Sequence, residues 1–362
     1  MTNKRLLQVR QILEENELDS FIFFNNEYDN RPNIQYLSGF TGSYSILLIT
    51  KHNNYIITDS RYFTQAQEES DFQLIKQIER DPWPTIRKLL QELKITRLGF
   101  ELDKLLVEKY KKLQKIDLKL YGFEKLILGL RAVKDKEELK LIKIACQITS
   151  KAFENIFPKI KIGMTESELA AELTYEMLKL GAEKPIVGHL IVASGKRGQS
   201  PHGRSSDKII EDGDFVTIDT GAVYNGYVSD ITRTVGVGNV PNDLIKIYEI
   251  VLEAQKRTIL SASSHHTGTS LDKIAREYIS SKGYGPYFTH STGHGIGLEV
   301  HELPRVNKDN KDKLPVNSVV TIEPGIYIPE LGGVRIEDDI IIKEDGCEVI
   351  SHTQKDLIIL NK

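Results

Sequence analysis

The chain has 362 residues, 40% of them hydrophobic, which is enough for more than one packed core without disulfide support. A formal net charge of −3 carries no basic footprint and excludes nucleic acid as the expected partner. Two cysteines occur, Cys146 and Cys347, beside apolar residues and without metal-ligand spacing, so both read as reduced core residues.

The opening MTNKRLLQVRQILEENELDS lacks the apolar run of a secretory leader and reads as an amphipathic helix. No segment approaches the roughly 18 apolar residues needed to span a bilayer. A cytoplasmic protein without membrane partners is the expectation. Strands then follow around Ser20–Phe24, Tyr44–Ile49 and Tyr55–Thr58, with a helix after Arg61. Asp81-Pro82-Trp83-Pro84 breaks the chain before another helix. Alternation of this kind predicts a small α/β domain over residues 1–126.

A second domain, 127–362, is expected from the change of pattern near Leu126–Val133, where a long helix begins. Asp135 and Glu138 have the form of a capping box, and Leu141, Ala145, Ile148 and Ala152 line one apolar face. Thr165 and Glu168 form a second box, and the helix they open stops at Gly181. The same plan returns further on: a helix, then Gly268-Thr269-Ser270, then a helix that stops at Gly283. Each pair of helices leads to a β-hairpin bearing two carboxylates. The pattern predicts an α+β domain made of two similar halves related by a pseudo-two-fold.

The hairpin acids run against strand propensity, and buried carboxylates need a partner or a metal. Asp219 and Asp230 flank Asn225-Gly226, a type I′ turn signal, so folding there brings them within about two ladder positions. Two bare carboxylates so close repel, and cations remove the conflict. Glu323 precedes Pro324-Gly325, and Glu337 follows Gly332-Gly333, read as the turn of the second hairpin. Asp338 and Asp339 read as solvated, or as supports behind the ligands. His294 lies in HSTGHGIGLEVHE, where glycines oppose a helix and favour an extended strand. His202 sits in the polar loop SPHGRSSD, which alone suggests only exposure. His265 and His266 read as surface residues, and His189 and His352 carry no signal. Four carboxylates with one imidazole suit two divalent cations, Mn²⁺ before Co²⁺ or Zn²⁺, and with no thiolate the set is not a structural zinc site. Such a pair serves hydrolysis, polarising a carbonyl and acidifying water.

These residues, in their order and context, resemble the proline-specific metallopeptidases of the pita-bread fold: Xaa-Pro aminopeptidases and Xaa-Pro dipeptidases, or prolidases. VTIDTGA, SDITRT, TIEPGIYIP and GGVRIEDD carry the likeness in the second domain, and IQYLSGFTGSYSILLIT with TDSRY carries it in the first. The resemblance implies a creatinase/prolidase-type α/β N-terminal domain and an α+β pita-bread catalytic domain with pseudo-two-fold duplication. It implies Asp219, Asp230, His294, Glu323 and Glu337 as metal ligands, with Glu323 also the general base. It implies His202 and His301 at the scissile carbonyl, His290 at the proline subsite, and Thr232 and Arg335 orienting the acids. It also implies a homodimer acting on proline-containing peptides.

The target bond is a tertiary amide without N–H, so recognition falls to an apolar pocket and to groups aimed at the carbonyl. The N-terminal motifs favour an Xaa-Pro aminopeptidase, with the dipeptidase as the alternative. Arg305 is the candidate to bind a dipeptide's free carboxylate. The intact ligand set argues against a metal-free creatinase and against an inactive protein-binding module. The N-terminal domain argues against a methionine aminopeptidase.

Overall fold

The computed structural model describes residues 2–27, 29–186 and 190–360, so His189 lies outside the described residues. The chain divides into two compact units, Met1–Arg131 and Ala132–Lys362.

The first unit is built on a mixed six-stranded sheet. Its order is Gln73–Lys76, Asn54–Thr58, Tyr44–Thr50, Ser20–Asn26, Arg97–Glu101 and Lys119–Phe123. Ser20–Asn26 is central, antiparallel to Tyr44–Thr50 and parallel to Arg97–Glu101. Its residues are buried on both faces, as expected of a strand covered by helices on either side. One face packs Ile22, Phe24, Ile46 and Leu98 against Trp83, Ile86 and Leu90 of helix Trp83–Glu92. Glu101 closes the unit: its buried carboxylate accepts from the amides of Asn30 and Asn33 and from the Ile127 N–H. The short helix Leu126–Arg131 belongs to this first unit, and a separate helix, Lys136–Ile156, opens the second.

In the second unit the same run of elements occurs twice. Helices Lys136–Ile156 and Glu166–Lys179 precede a four-stranded sheet. Helices Asn242–Ser261 and Gly268–Ser281 precede a five-stranded one. Reciprocal capping boxes start three of these helices, at Asp135/Glu138, Thr165/Glu168 and Thr267/Ser270. Gly181 and Gly283, just past two helix ends, take φ of 100° and 89°, the left-handed geometry that glycine adopts without strain. The first half buries Phe153, Ile156, Leu169 and Leu173 against Val216, Ile218, Ile231 and Val235 of its sheet.

Two expectations need correction. Cys146 is buried, but Cys347 is only half-buried at the edge strand Cys347–Val349, so it is not a core residue. Asp338 and Asp339 are not solvated; their residues are 1% and 0% exposed. Asp338 accepts from Arg233 Nη2, Gln255 Nε2, Ser351 Oγ and Lys355 Nζ, a set that repays the cost of desolvation.

Candidate metal centre

The first acidic hairpin has two stages. Phe215–Thr220 runs antiparallel to Ile231–Val237, with Asp219 opposite Thr232. Beyond this ladder the chain bends at Gly221, where an added Cβ would lie 1.7 Å from the Ser229 carbonyl oxygen, so only glycine fits. The tip then pairs Tyr224 with Tyr227 and closes through Asn225 and Gly226, at φ of 48° and 80°. Asp230 stands at the bend on the returning arm, where its side chain is freed from strand alternation.

The second hairpin uses the same break. Val319–Ile322 pairs with Asp338–Ile342, and Gly325–Ile328 pairs with Gly332–Arg335. Glu323 and Glu337 occupy the gap between the two ladders. The turn itself is Pro329–Leu331 rather than Gly332-Gly333, and both glycines lie in the returning strand. Gly333 is needed there because a Cβ would sit 2.1 Å from the Gly198 carbonyl oxygen. The hairpins are stitched together by the Glu337 N–H, which donates to the Thr232 carbonyl at 3.2 Å.

His294 lies in the short strand Gly293–Gly295 beside Val319–Ile322. Ligand atoms of Asp230, His294 and Glu337 all fall within 4.8 Å of one another. His294 Nε2 is 3.7 Å from Asp230 Oδ2 and 3.4 Å from Glu323 Oε1. Asp219 joins through Arg335, whose Nη2 donates to Asp219 Oδ2 at 2.6 Å. Arg335 Nε donates to Thr232 Oγ1, which in turn donates to Glu337 Oε2 at 2.5 Å. All five acidic and imidazole donors singled out in the sequence thus lie in one cluster, with Thr232 and Arg335 bonded to it.

The electrostatics are those of a site waiting for positive charge. Burial raises the Asp230 carboxyl well above its ordinary range, and the neighbouring Asp219, Asp339 and Glu323 raise it further. Glu337 is raised likewise by burial and then by Asp230 and Glu323. Glu323 is also raised by burial, with His290 and Arg335 pulling the other way. Burial lowers the His294 imidazole, favouring the neutral form that can ligate. Asp230 Oδ1 is buried without a hydrogen-bond partner among the described residues. A hard donor set with an orphaned buried oxygen fits divalent cations.

The outer groups stand around this cluster. The His301 and His294 rings are 4.2 Å apart between centroids. His301 is open to solvent on one side, yet burial on the other, together with His294 and Arg305, pushes it down to about 4. His290 donates or accepts through Nε2 at 2.8 Å from the Tyr327 hydroxyl, and that hydroxyl accepts from Arg335 Nη1 at 2.7 Å. His202 is exposed in the loop after Gly195–Gln199, and Pro201 beside it accepts a bond from Arg335 Nη1 at 3.2 Å. Arg305 is exposed within strand Glu302–Val306 rather than in a loop, and among the described residues it has no ion-pair partner.

Sequence reasoning missed Tyr327, Glu166, Asp272 and Arg276 as supports, and it offered Asp339 as a support only beside a solvated reading. Tyr327 bridges His290 and Arg335, and burial raises its hydroxyl to about 12, so it is a neutral relay. Asp339 Oδ2 accepts the Asp230 N–H at 2.9 Å and the Cys146 thiol at 3.3 Å. Burial pushes the Asp339 carboxyl up to about 8. Glu166, fully buried, accepts from Ser194 and Ser206, the two ends of the His202 loop, and pairs with Arg197 within it. The Thr165/Glu168 box drew attention to that helix start but hid Glu166 between them. Asp272 and Arg276 likewise hold the segment before His294, through Thr292 Oγ1 and the His290 carbonyl.

Two hairpins that aim carboxylates, and a neighbouring strand that aims an imidazole, at one buried, cation-seeking point define a metal-dependent hydrolase. The chain belongs to metallopeptidase family M24, whose model matches residues 140–344, and the creatinase/prolidase N-terminal domain matches residues 5–133. Among curated relatives, the Xaa-Pro dipeptidase of Pyrococcus horikoshii is 41% identical over 361 residues, covering 98% of this chain and 99% of that protein. A solved Xaa-Pro dipeptidase from Bacillus anthracis superposes with a TM-score of 0.95 at 42% identity, covering 99% of this chain and all of that one. A solved X-Pro aminopeptidase from Thermotoga maritima superposes at 0.91 with 42% identity, over 95% of this chain and 98% of that one. The creatinase-type N-terminal domain and the pita-bread catalytic domain are therefore both present, and the protein is a metallopeptidase.

Proposed function

We propose that this chain is an Xaa-Pro dipeptidase that works with two divalent cations held by Asp219, Asp230, His294, Glu323 and Glu337. The observation that carries the reading is the buried cluster of Asp230, His294 and Glu337 in a chain similar along its full length to Xaa-Pro dipeptidases. Those relatives outweigh the N-terminal motifs that favour an aminopeptidase. The 42% identity with an X-Pro aminopeptidase sustains that activity as the second reading. Mn²⁺ is the first choice of metal for so oxygen-rich a set. A homodimer acting in the cytoplasm completes the proposal.

The bound cations would polarise the scissile carbonyl and make water acidic enough to attack near neutral pH. Glu323 receives the proton of the attacking water and returns it to the departing proline nitrogen, which has no proton of its own in the peptide. His202 and His301 hold the carbonyl oxygen as it gains charge. His290, fixed by Tyr327, walls the proline ring, and Arg305 binds the free carboxylate of a dipeptide. A longer peptide has no carboxylate at that point, so Arg305 supports selection by length.

The test compares Xaa-Pro dipeptides with Xaa-Pro-Yaa tripeptides in the Mn²⁺-loaded protein. Dipeptide hydrolysis with tripeptides refused is expected. Preferential cleavage of tripeptides would move the assignment to the aminopeptidase.

A further inference from the structure

His301 stands at the end of a tight loop, 296–301, and what holds that loop is the carboxylate of Glu302 buried beneath it. Glu302, directly after His301, turns its side chain back under the loop. Its Oε1 accepts the N–H of Leu298 at 2.8 Å and of Glu299 at 3.0 Å. Its Oε2 lies 3.2 Å from Lys134 Nζ, and both side chains are 1% exposed. Gly297 leaves room for this carboxylate, since a Cβ there would lie 2.6 Å from Oε2. The loop is also braced from outside, where the Val228 N–H, on the tip of the first acidic hairpin, donates to the Gly297 carbonyl at 2.8 Å.

A buried ion pair is weak grounds for stability, because a well-packed apolar pair of the same volume serves as well or better. What an apolar pair cannot do is hold two backbone N–H groups in a fixed direction. We propose that Glu302, paired with Lys134 at 3.2 Å, is a positioning residue for His301. It sets the 298–299 backbone and so the point from which the His301 ring projects over His294. This rests on the reading of His301 as a carbonyl-binding histidine. An amide at 302 offers a single oxygen, which can serve the ammonium or the two N–H groups but not both.

The test measures Ala-Pro hydrolysis by the Mn²⁺-loaded full chain in Glu302→Gln, His301→Ala and the double variant, with metal content and melting temperature alongside. Glu302→Gln is expected to lower kcat about 10- to 100-fold with its metal content unchanged. In the His301→Ala background the same change is expected to cost less than about 2-fold, because its effect runs through the missing ring. Gly297→Ala, which pushes on the carboxylate without altering charge, is expected to show the same non-additivity and stands in if Glu302→Gln does not fold. Equal losses in both backgrounds, or loss of metal in step with activity, would overturn the proposal. Full activity in Glu302→Gln and Gly297→Ala, with His301→Ala impaired, would overturn it while leaving the role of His301 intact. Full activity in His301→Ala would overturn the role of His301 and the proposal together.

Discussion

Arg335 and Asp219, contributed by opposite hairpins, are joined by a 2.6 Å hydrogen bond from Nη2 to Oδ2. The same guanidinium reaches Thr232 Oγ1, the Tyr327 hydroxyl and the Pro201 carbonyl. One planar cation therefore fixes an acid, a hydroxyl that supports another acid, the tyrosine behind His290, and the loop of His202. Its residue is 3% exposed, and nearby acidic groups hold its charge firmly against the cost of burial.

Arg335→Lys keeps the charge but replaces the fork by a single point. Lysine cannot span Thr232, Tyr327 and Asp219 together, so the variant is expected to fold and yet lose about 10- to 100-fold in metal affinity or kcat/KM. Arg335→Met removes the cation from among buried carboxylates and is expected to cost about 3–5 kcal/mol in urea unfolding of the metal-free protein. Wild-type kinetics in Arg335→Lys would show that charge alone suffices.

The acids proposed as metal ligands are a burden without the metal. Asp230, Glu323 and Glu337 share one buried volume, and each raises the cost of ionising its neighbours. Chelation is therefore expected to abolish activity and lower the melting temperature, and Mn²⁺ to restore both. At a free metal concentration 100 times the Kd, the gain for one site is about 2.7 kcal/mol. Asp230→Asn should invert this order. Free of one buried charge, its metal-free form is expected to melt above the metal-free wild type, while Mn²⁺ adds little. Calorimetry with and without chelator reads both differences, and a variant that melts lower and still gains from Mn²⁺ would argue that the aspartate serves the fold.

The parts legible in the sequence were those with local causes. Asp219 and Asp230 could be paired because Asn225-Gly226 dictates the turn between them, and its φ values of 48° and 80° are those of that turn. Helix starts were legible because a capping box is completed within four residues, as at Asp135 and Thr165. For Asp338 and Asp339 the sequence left a solvated reading open beside that of supports, because nothing next to them in the chain explains their burial. Their partners are Cys146, Arg233 and Gln255, brought in by two helices and a strand, and Lys355, brought in by the irregular segment after residue 350. Tyr327 was passed over for the same reason: its hydroxyl acquires meaning only when His290 and Arg335 arrive from separate elements. The turn at Pro329–Leu331 was hidden by Gly332-Gly333, a stronger local signal whose glycines serve close backbone approach instead.

Asp19 offers a test within the first unit. Its N–H donates to the Arg97 carbonyl, and its Oδ2 accepts from Thr96 N, Thr96 Oγ1 and Arg97 N at 2.8–2.9 Å. Those bonds hold the start of strand Arg97–Glu101 against that of Ser20–Asn26. Burial alone would raise the carboxyl, but the bonds from Thr96 and Arg97 outweigh it and leave it below its ordinary value. A carboxyl depressed on folding stabilises the native state above the unfolded pKa, about 3.9 for aspartate, and loses that contribution as pH falls through the folded value. Asp19→Ala is accordingly expected to cost about 1–2 kcal/mol at pH 6 in urea unfolding. The difference from wild type is expected to hold down to about pH 4 and then to shrink as the medium is acidified further. A difference that stays constant between pH 6 and pH 3 would show that these bonds do not depend on the charge of Asp19.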